Sequence, residues 1–148
     1  MDTRYAPKTP PFSGVMVSKA SAGPVGTITA NVTNTFFLAV PPGRHWIRRA
    51  AVVCNVVGVD ADGNLTATFQ KYNGATDTPV ALNTANNLKT LTTKEMRDIV
   101  VTATLTDAQR IVDSANGDSL YVEVVSDSAA IDTQPTQLIF TVELLTLR

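Results

Sequence analysis

Apolar and polar positions alternate with period two along much of the chain. Ile28, Ala30 and Val32 alternate with Thr27, Thr29, Asn31 and Thr33. Leu65, Ala67 and Phe69 alternate with Thr66, Thr68 and Gln70, and Ile99, Val101, Ala103 and Leu105 with Val100, Thr102 and Thr104. Period two places successive side chains on opposite faces, so each segment predicts a strand with one buried and one wet face. Phe36–Val40 is a short apolar run stopped by Pro41-Pro42-Gly43, and Trp46–Val59 reads as a long strand with a mixed start. Turns are predicted at Asp60–Asn64, at Asn73-Gly74 and at Asn116-Gly117-Asp118. Residues 75–96 predict loops with one short strand, Leu120–Val125 a strand, 126–136 a polar loop, and Leu138–Leu147 the last strand. Thr106–Val112 alone has a helix start, with Thr106 or Asp107 as cap. About eight strands without a sequence repeat predict an all-β antiparallel sandwich, of jelly-roll type.

The N-terminal segment differs. Residues 1–24 carry Pro7, Pro10, Pro11 and Pro24 among small residues, which predicts an extended arm before a sandwich domain at 25–148. Tyr5, Phe12, Val15 and Met16 give that arm apolar anchors for its own domain, a neighbouring subunit or another protein.

Two strands are apolar on both faces. In one, Ala50, Val52, Cys54 and Val56 share one parity, and Ala51, Val53, Asn55 and Val57 the other. In the last strand Leu138, Phe140, Val142 and Leu144 oppose Ile139, Thr141, Glu143, Leu145 and Leu147. A sandwich strand hides one face only, and no long helix is predicted to cover the other. A second copy of the chain is the simplest cover, with Val52, Val53, Val56, Val57, Ile139, Leu145 and Leu147 as candidate interface residues. Each buried Val or Leu is worth roughly 1.5–3 kcal/mol, so five or six of them supply on the order of 10 kcal/mol before the costs of association.

The 148 residues are 44% apolar and 17% charged, with formal net charge −1. Length suits one domain with a substantial core. Thr, Val and Ile make up nearly a third of the chain, a strand-favouring composition. No apolar run approaches the ~20 residues of a membrane helix, and the first residues lack the apolar stretch of a secretory signal. Cys54, the one cysteine, cannot form an internal bridge and is expected buried and inert. The near-neutral total gives no basis for nucleic-acid binding. Positive charge gathers in residues 1–49 and negative charge in 106–148, which can steer a subunit onto a partner unless folding interleaves the two. Arg44, Arg48 and Arg49 are candidates for a charged contact with a protein partner.

Candidate chemistry is sparse. His45 is the one histidine, so a cupin-like metal site and a nucleophile–base arrangement both lack residues; a solvated or interfacial His45 is expected. Asp60-Ala61-Asp62-Gly63-Asn64 departs from calcium-hand spacing and reads as a hairpin turn. No catalytic residue, metal or cofactor is predicted.

Ser114-Ala115-Asn116-Gly117-Asp118-Ser119-Leu120-Tyr121-Val122-Glu123-Val124 enters a strand through Gly-Asp, and Gln137-Leu138-Ile139-Phe140-Thr141-Val142-Glu143-Leu144 closes the domain. These segments resemble the closing strands of trimeric jelly rolls of the tumour necrosis factor-like kind. With the Pro-rich arm and the length, the chain resembles the capsid decoration, or cement, proteins of tailed bacteriophages. That resemblance implies a non-enzymatic virion protein. It would bind the outside of the head as a homotrimer, tying neighbouring major capsid subunits together, with the arm reaching the shell or an adjacent trimer. It implies no cofactor, no direct nucleic-acid contact and no membrane. A fibre or tail-associated carbohydrate-binding module is the alternative, with Tyr5, Trp46, Tyr72 and Tyr121 as its aromatic candidates; a small jelly-roll enzyme and a self-assembling coat subunit are weaker ones.

Overall fold

A computed structural model describes residues 17–25, 28–54, 65–88, 91, 94, 96–126 and 137–147. The strands are β1 (Val17–Val25), β2 (Thr33–Leu38), β3 (Arg44–Val53), β4 (Leu65–Asn73), β5 (Thr78–Ala81), β6 (Asn86–Asn87), β7 (Met96–Ile99), β8 (Ile111–Asp113), β9 (Ser119–Ser126) and β10 (Leu138–Thr146). A short helix α1 (Asp107–Arg110) precedes β8. One sheet runs β1-β10-β3-β7, with β8 also on β3; the other runs β2-β9-β4-β5, with β6 also on β4. All the pairings are antiparallel. The chain crosses between sheets after β1, β2, β3, β6, β8 and β9, the winding of a jelly-roll sandwich.

Alternation explains the core. Leu65, Ala67 and Phe69 of β4, Leu120, Val122 and Val124 of β9, and Leu138, Phe140, Val142 and Leu144 of β10 all point inward and are buried. Phe140 bridges the layers: its ring centroid lies 6.1 Å from that of Phe36 on β2 and 5.9 Å from that of Phe69, the latter edge-on. Cys54 is buried as expected.

The structure departs from the expected layout in four places. Residues 17–24, expected in the arm, belong to β1, whose Ala20 and Ala22 enter the core. The boundary at residue 24 therefore falls inside a strand. β1 follows β10 from Val17↔Leu145 to Ala22↔Phe140 and then bulges at Gly23. There φ is 122°, and a Cβ would meet the carbonyl of Leu138, so glycine is required. Second, Ile28–Val32 is a connection: Asn31 has φ 55°, and the Asn34 side chain accepts from Thr29 N at 2.8 Å and donates to Thr29 O at 2.9 Å. That closed turn takes these backbone groups out of any ladder. Third, β7 ends at Ile99. Thr102 N bonds Leu82 O at 2.8 Å, so 100–105 bond the segment after β5 instead of extending the β3 ladder, while Val101 and Leu105 still pack on the core.

The fourth departure explains the mixed start of the long strand. Glu143 pairs with Arg49, but Leu144 pairs with Ile47, so Arg48 is an inserted residue. A bulge of one residue reverses parity. Hence His45 and Ile47 point inward before it, and Ala50, Val52 and Cys54 after it, with Arg48 and Arg49 both exposed.

Candidate interaction face

The outer face of the β1-β10-β3-β7 sheet is built in bands. At one end Ile139 pairs with Val53 and Val53 with Met96. At the other, Val17 pairs with Leu145, Leu145 with Trp46, and Trp46 with Ile111. Between them Lys19 pairs with Glu143 and Glu143 with Arg49. Met96 is 61% exposed and Val17 55% exposed, while Val53, Ile139, Leu145, Trp46 and Leu147 are half-buried. The face thus carries two apolar bands with a charged stripe between them.

The stripe is internally paired. Arg48 Nη1 lies 2.8 Å from Glu143 Oε1, and Arg49 bonds the carboxylate of Asp98. Arg44 is exposed and registered opposite Asp113 on β8. The three arginines do not form one basic patch: Arg48 and Arg49 are each ion-paired to a carboxylate from a later part of the chain, and Arg44 lies apart in register with Asp113. Folding interleaves the two oppositely charged segments here, and exposed pairs of this kind contribute about 0–1 kcal/mol each.

Among the expected interface residues, Val52 is spent on the core, because the bulge at Arg48 turns it inward. Val53 and Ile139 do meet, as cross-strand neighbours on the outer face. Leu145 is on that face too, beside Trp46, and Leu147 N bonds Arg44 O at 2.8 Å. Val56 and Val57 lie outside the described residues, as do Tyr5, Phe12, Val15 and Met16 of the arm and the Asp60–Asn64 turn. Val17, Met96 and Ile111 were not expected on this face. Met96 sits in a polar stretch, Lys94-Glu95-Met96-Arg97-Asp98, whose composition hides it.

His45 is also corrected: it is buried at 2% exposure. Its Nε2 lies 3.0 Å from Pro41 O and 3.1 Å from Pro42 O, and its Nδ1 3.2 Å from Thr146 Oγ1. With Nε2 protonated, the ring donates to the Pro41-Pro42 turn and accepts from Thr146. It latches that turn to the end of β10. Trp46 lies under the Arg110 guanidinium, 5.7 Å from it. Among the described residues, no group of three or more His, Cys, Asp or Glu is placed to hold a metal.

The fold defines the class: a two-sheet antiparallel jelly-roll sandwich. No protein-family model matches the chain, and no curated protein matches it by sequence. Comparison with solved structures finds the fold in a chain described as "Cyanophage Pam1 capsid asymmetric unit", with TM-score 0.52 and 16% identity over 90% of this chain and 86% of that one.

Proposed function

We propose that this chain is a non-enzymatic structural protein of a phage virion. It binds the outside of the head as a trimer and stabilises contacts between major capsid subunits. The observation that carries the reading is the banded outer face, where Met96, Val53 and Ile139 form an apolar band continuous across three strands. The capsid origin of the structural neighbour supports it at the level of fold. An apolar band across a strand-paired face favours burial by another protein surface, and the charged stripe beside it sets register. The role follows from linkage: a ligand that binds only the assembled shell stabilises the shell, and many weak sites add. The arm anchors Tyr5, Phe12, Val15 and Met16 are assigned to the shell or the adjacent subunit.

The test is light scattering on the purified protein, then mixing with heads that lack it. A trimer that binds heads and raises their disruption temperature is expected. Ile139→Arg is expected to give folded single copies that no longer bind. Deleting residues 1–16, which spares β1, is expected to leave the trimer intact and weaken head binding. A wild-type protein that is monomeric at assay concentration and ignores heads would overturn the reading.

A further inference from the structure

The second sheet has a different outer face. Thr33, Thr35, Thr66, Thr68 and Gln70 occupy its outward positions, the ordinary wetted face of a sandwich. Val125 of β9 is also exposed there, opposite Thr33 and Thr66, and at the other end of β9 one corner of the face turns aromatic. Phe37 of β2 is 69% exposed and pairs directly with Tyr121 of β9. Their ring centroids are 5.7 Å apart, tilted by 48°. Tyr72 of β4 pairs with Ser119 one step along the same face. Together with Thr35, Glu123 and the Gly117 turn, these residues line an open depression of about 490 Å³. A phenylalanine this exposed on a threonine-rich face is not explained by folding.

The lining specifies its ligand. The three rings offer apolar surfaces, and two of them carry hydroxyls. Thr35 and Ser119 add further hydroxyls, and the Glu123 carboxylate is oriented by Gln70 Nε2 at 3.0 Å. Such a surface matches a molecule with an apolar C–H face and a rim of hydroxyl groups. Among the described residues no lysine or arginine lines the depression, so a phosphate, sulfate or uronate would meet a carboxylate without a compensating cation. The volume falls in the ~300–1,000 Å³ range of small-molecule sites. A second copy of the chain is the poorer occupant, because a stable protein contact needs about 800 Å² per partner and threonines surround this corner. Burial and the neighbouring Glu123 both raise the Tyr121 pKa above 10.0, so its hydroxyl is a donor at neutral pH.

We propose that the corner formed by Phe37, Tyr72, Tyr121 and Glu123 is a binding site for a neutral oligosaccharide, on the face opposite the banded one. The site stands independently of the capsid role. The experiment is an amide-resolved NMR titration with maltohexaose, cellohexaose and chitohexaose, and with oligogalacturonate as the anionic control. At least one neutral sugar is expected to shift the amides of Phe37, Tyr72 and Tyr121, with oligogalacturonate without effect. Phe37→Ala is expected to weaken that binding by about tenfold or more, and Phe37→Trp, which keeps a ring at the same position, to retain it. Three results would each overturn the proposal: no neutral sugar shifts these amides, oligogalacturonate shifts them equally, or Phe37→Ala binds as the parent does. Shifts that follow protein concentration in the absence of sugar would assign the corner to a second copy and overturn it too.

Discussion

Asp118 holds three segments together from a buried position, and its replacement tests the energetics most directly. Its Oδ1 accepts from Gly74 N at 3.0 Å, and its Oδ2 accepts from Asp113 N at 3.0 Å. Lys71 Nζ lies 3.3 Å from the same Oδ2, and both side chains are 4% exposed. Lys71 also donates to Ala108 O at 3.1 Å. Asp118→Asn removes the charge and turns one acceptor into a donor, which must face either the Gly74 N–H or the Asp113 N–H and the Lys71 ammonium. Uncompensated burial of one ion costs about 3–5 kcal/mol. With a urea slope of about 2 kcal/mol/M, the unfolding midpoint is expected to fall by about 1.5–2.5 M. Lys71→Met is expected to cost less, about 2–3 kcal/mol, because the carboxylate keeps two backbone donors. The double variant is expected to cost less than the sum of the singles by about 1–2 kcal/mol, the signature of direct coupling. The assay is urea unfolding followed by Trp46 fluorescence, at one fixed protein concentration because self-association would add to apparent stability. Strict additivity, or an Asp118→Asn cost under about 1 kcal/mol, would refute the coupling.

Two further outcomes follow from the same region and from the second sheet. A Cβ on Gly74 would collide with Asn116 O and lie 2.6 Å from the Gly117 carbonyl carbon. Gly74→Ala therefore forces two backbone turns apart, and at about 1–3 kcal/mol it is expected to lower Tm by about 2–12 °C in calorimetry. The raised pKa of Tyr121 has a definite sign: the folded state holds this proton more tightly than the unfolded chain, so its contribution is fully present below 10.0 and is lost as pH rises beyond it. Tyr121→Phe is expected to flatten that alkaline loss in urea midpoints taken across pH; an unchanged slope would remove Tyr121 as its source.

Local chemistry is what the chain by itself determined. Period-two alternation identified β4 and its inward Leu65, Ala67 and Phe69, and the segments of β9 and β10 were legible as strands, but the inward parity of β10 was set only by packing. The Thr106 cap, with Gln109 closing the capping box, starts a short α-helix, Asp107–Arg110, inside the expected Thr106–Val112 stretch, whose last two residues instead begin β8. Buried Cys54 followed from its apolar neighbours. These are decided within a few residues, so sequence suffices. Alternation states that two faces exist, but it does not state where a ladder begins or where an extra residue enters. The bulge at Arg48 depends on which β10 residue lies opposite, and it alone moves Val52 into the core and both Arg48 and Arg49 outward. Residues 17–24 look like a linker until β10 supplies hydrogen-bond partners for them, and Ile28–Val32 look like a strand until Asn34 closes the turn. His45 could be placed in the core only once Thr146 was brought from the far end of the chain to join the nearby Pro41-Pro42 carbonyls around it. The banded face and the aromatic corner belong to the same category: Met96 meets Val53, and Phe37 meets Tyr121, across sequence separations that only strand pairing closes.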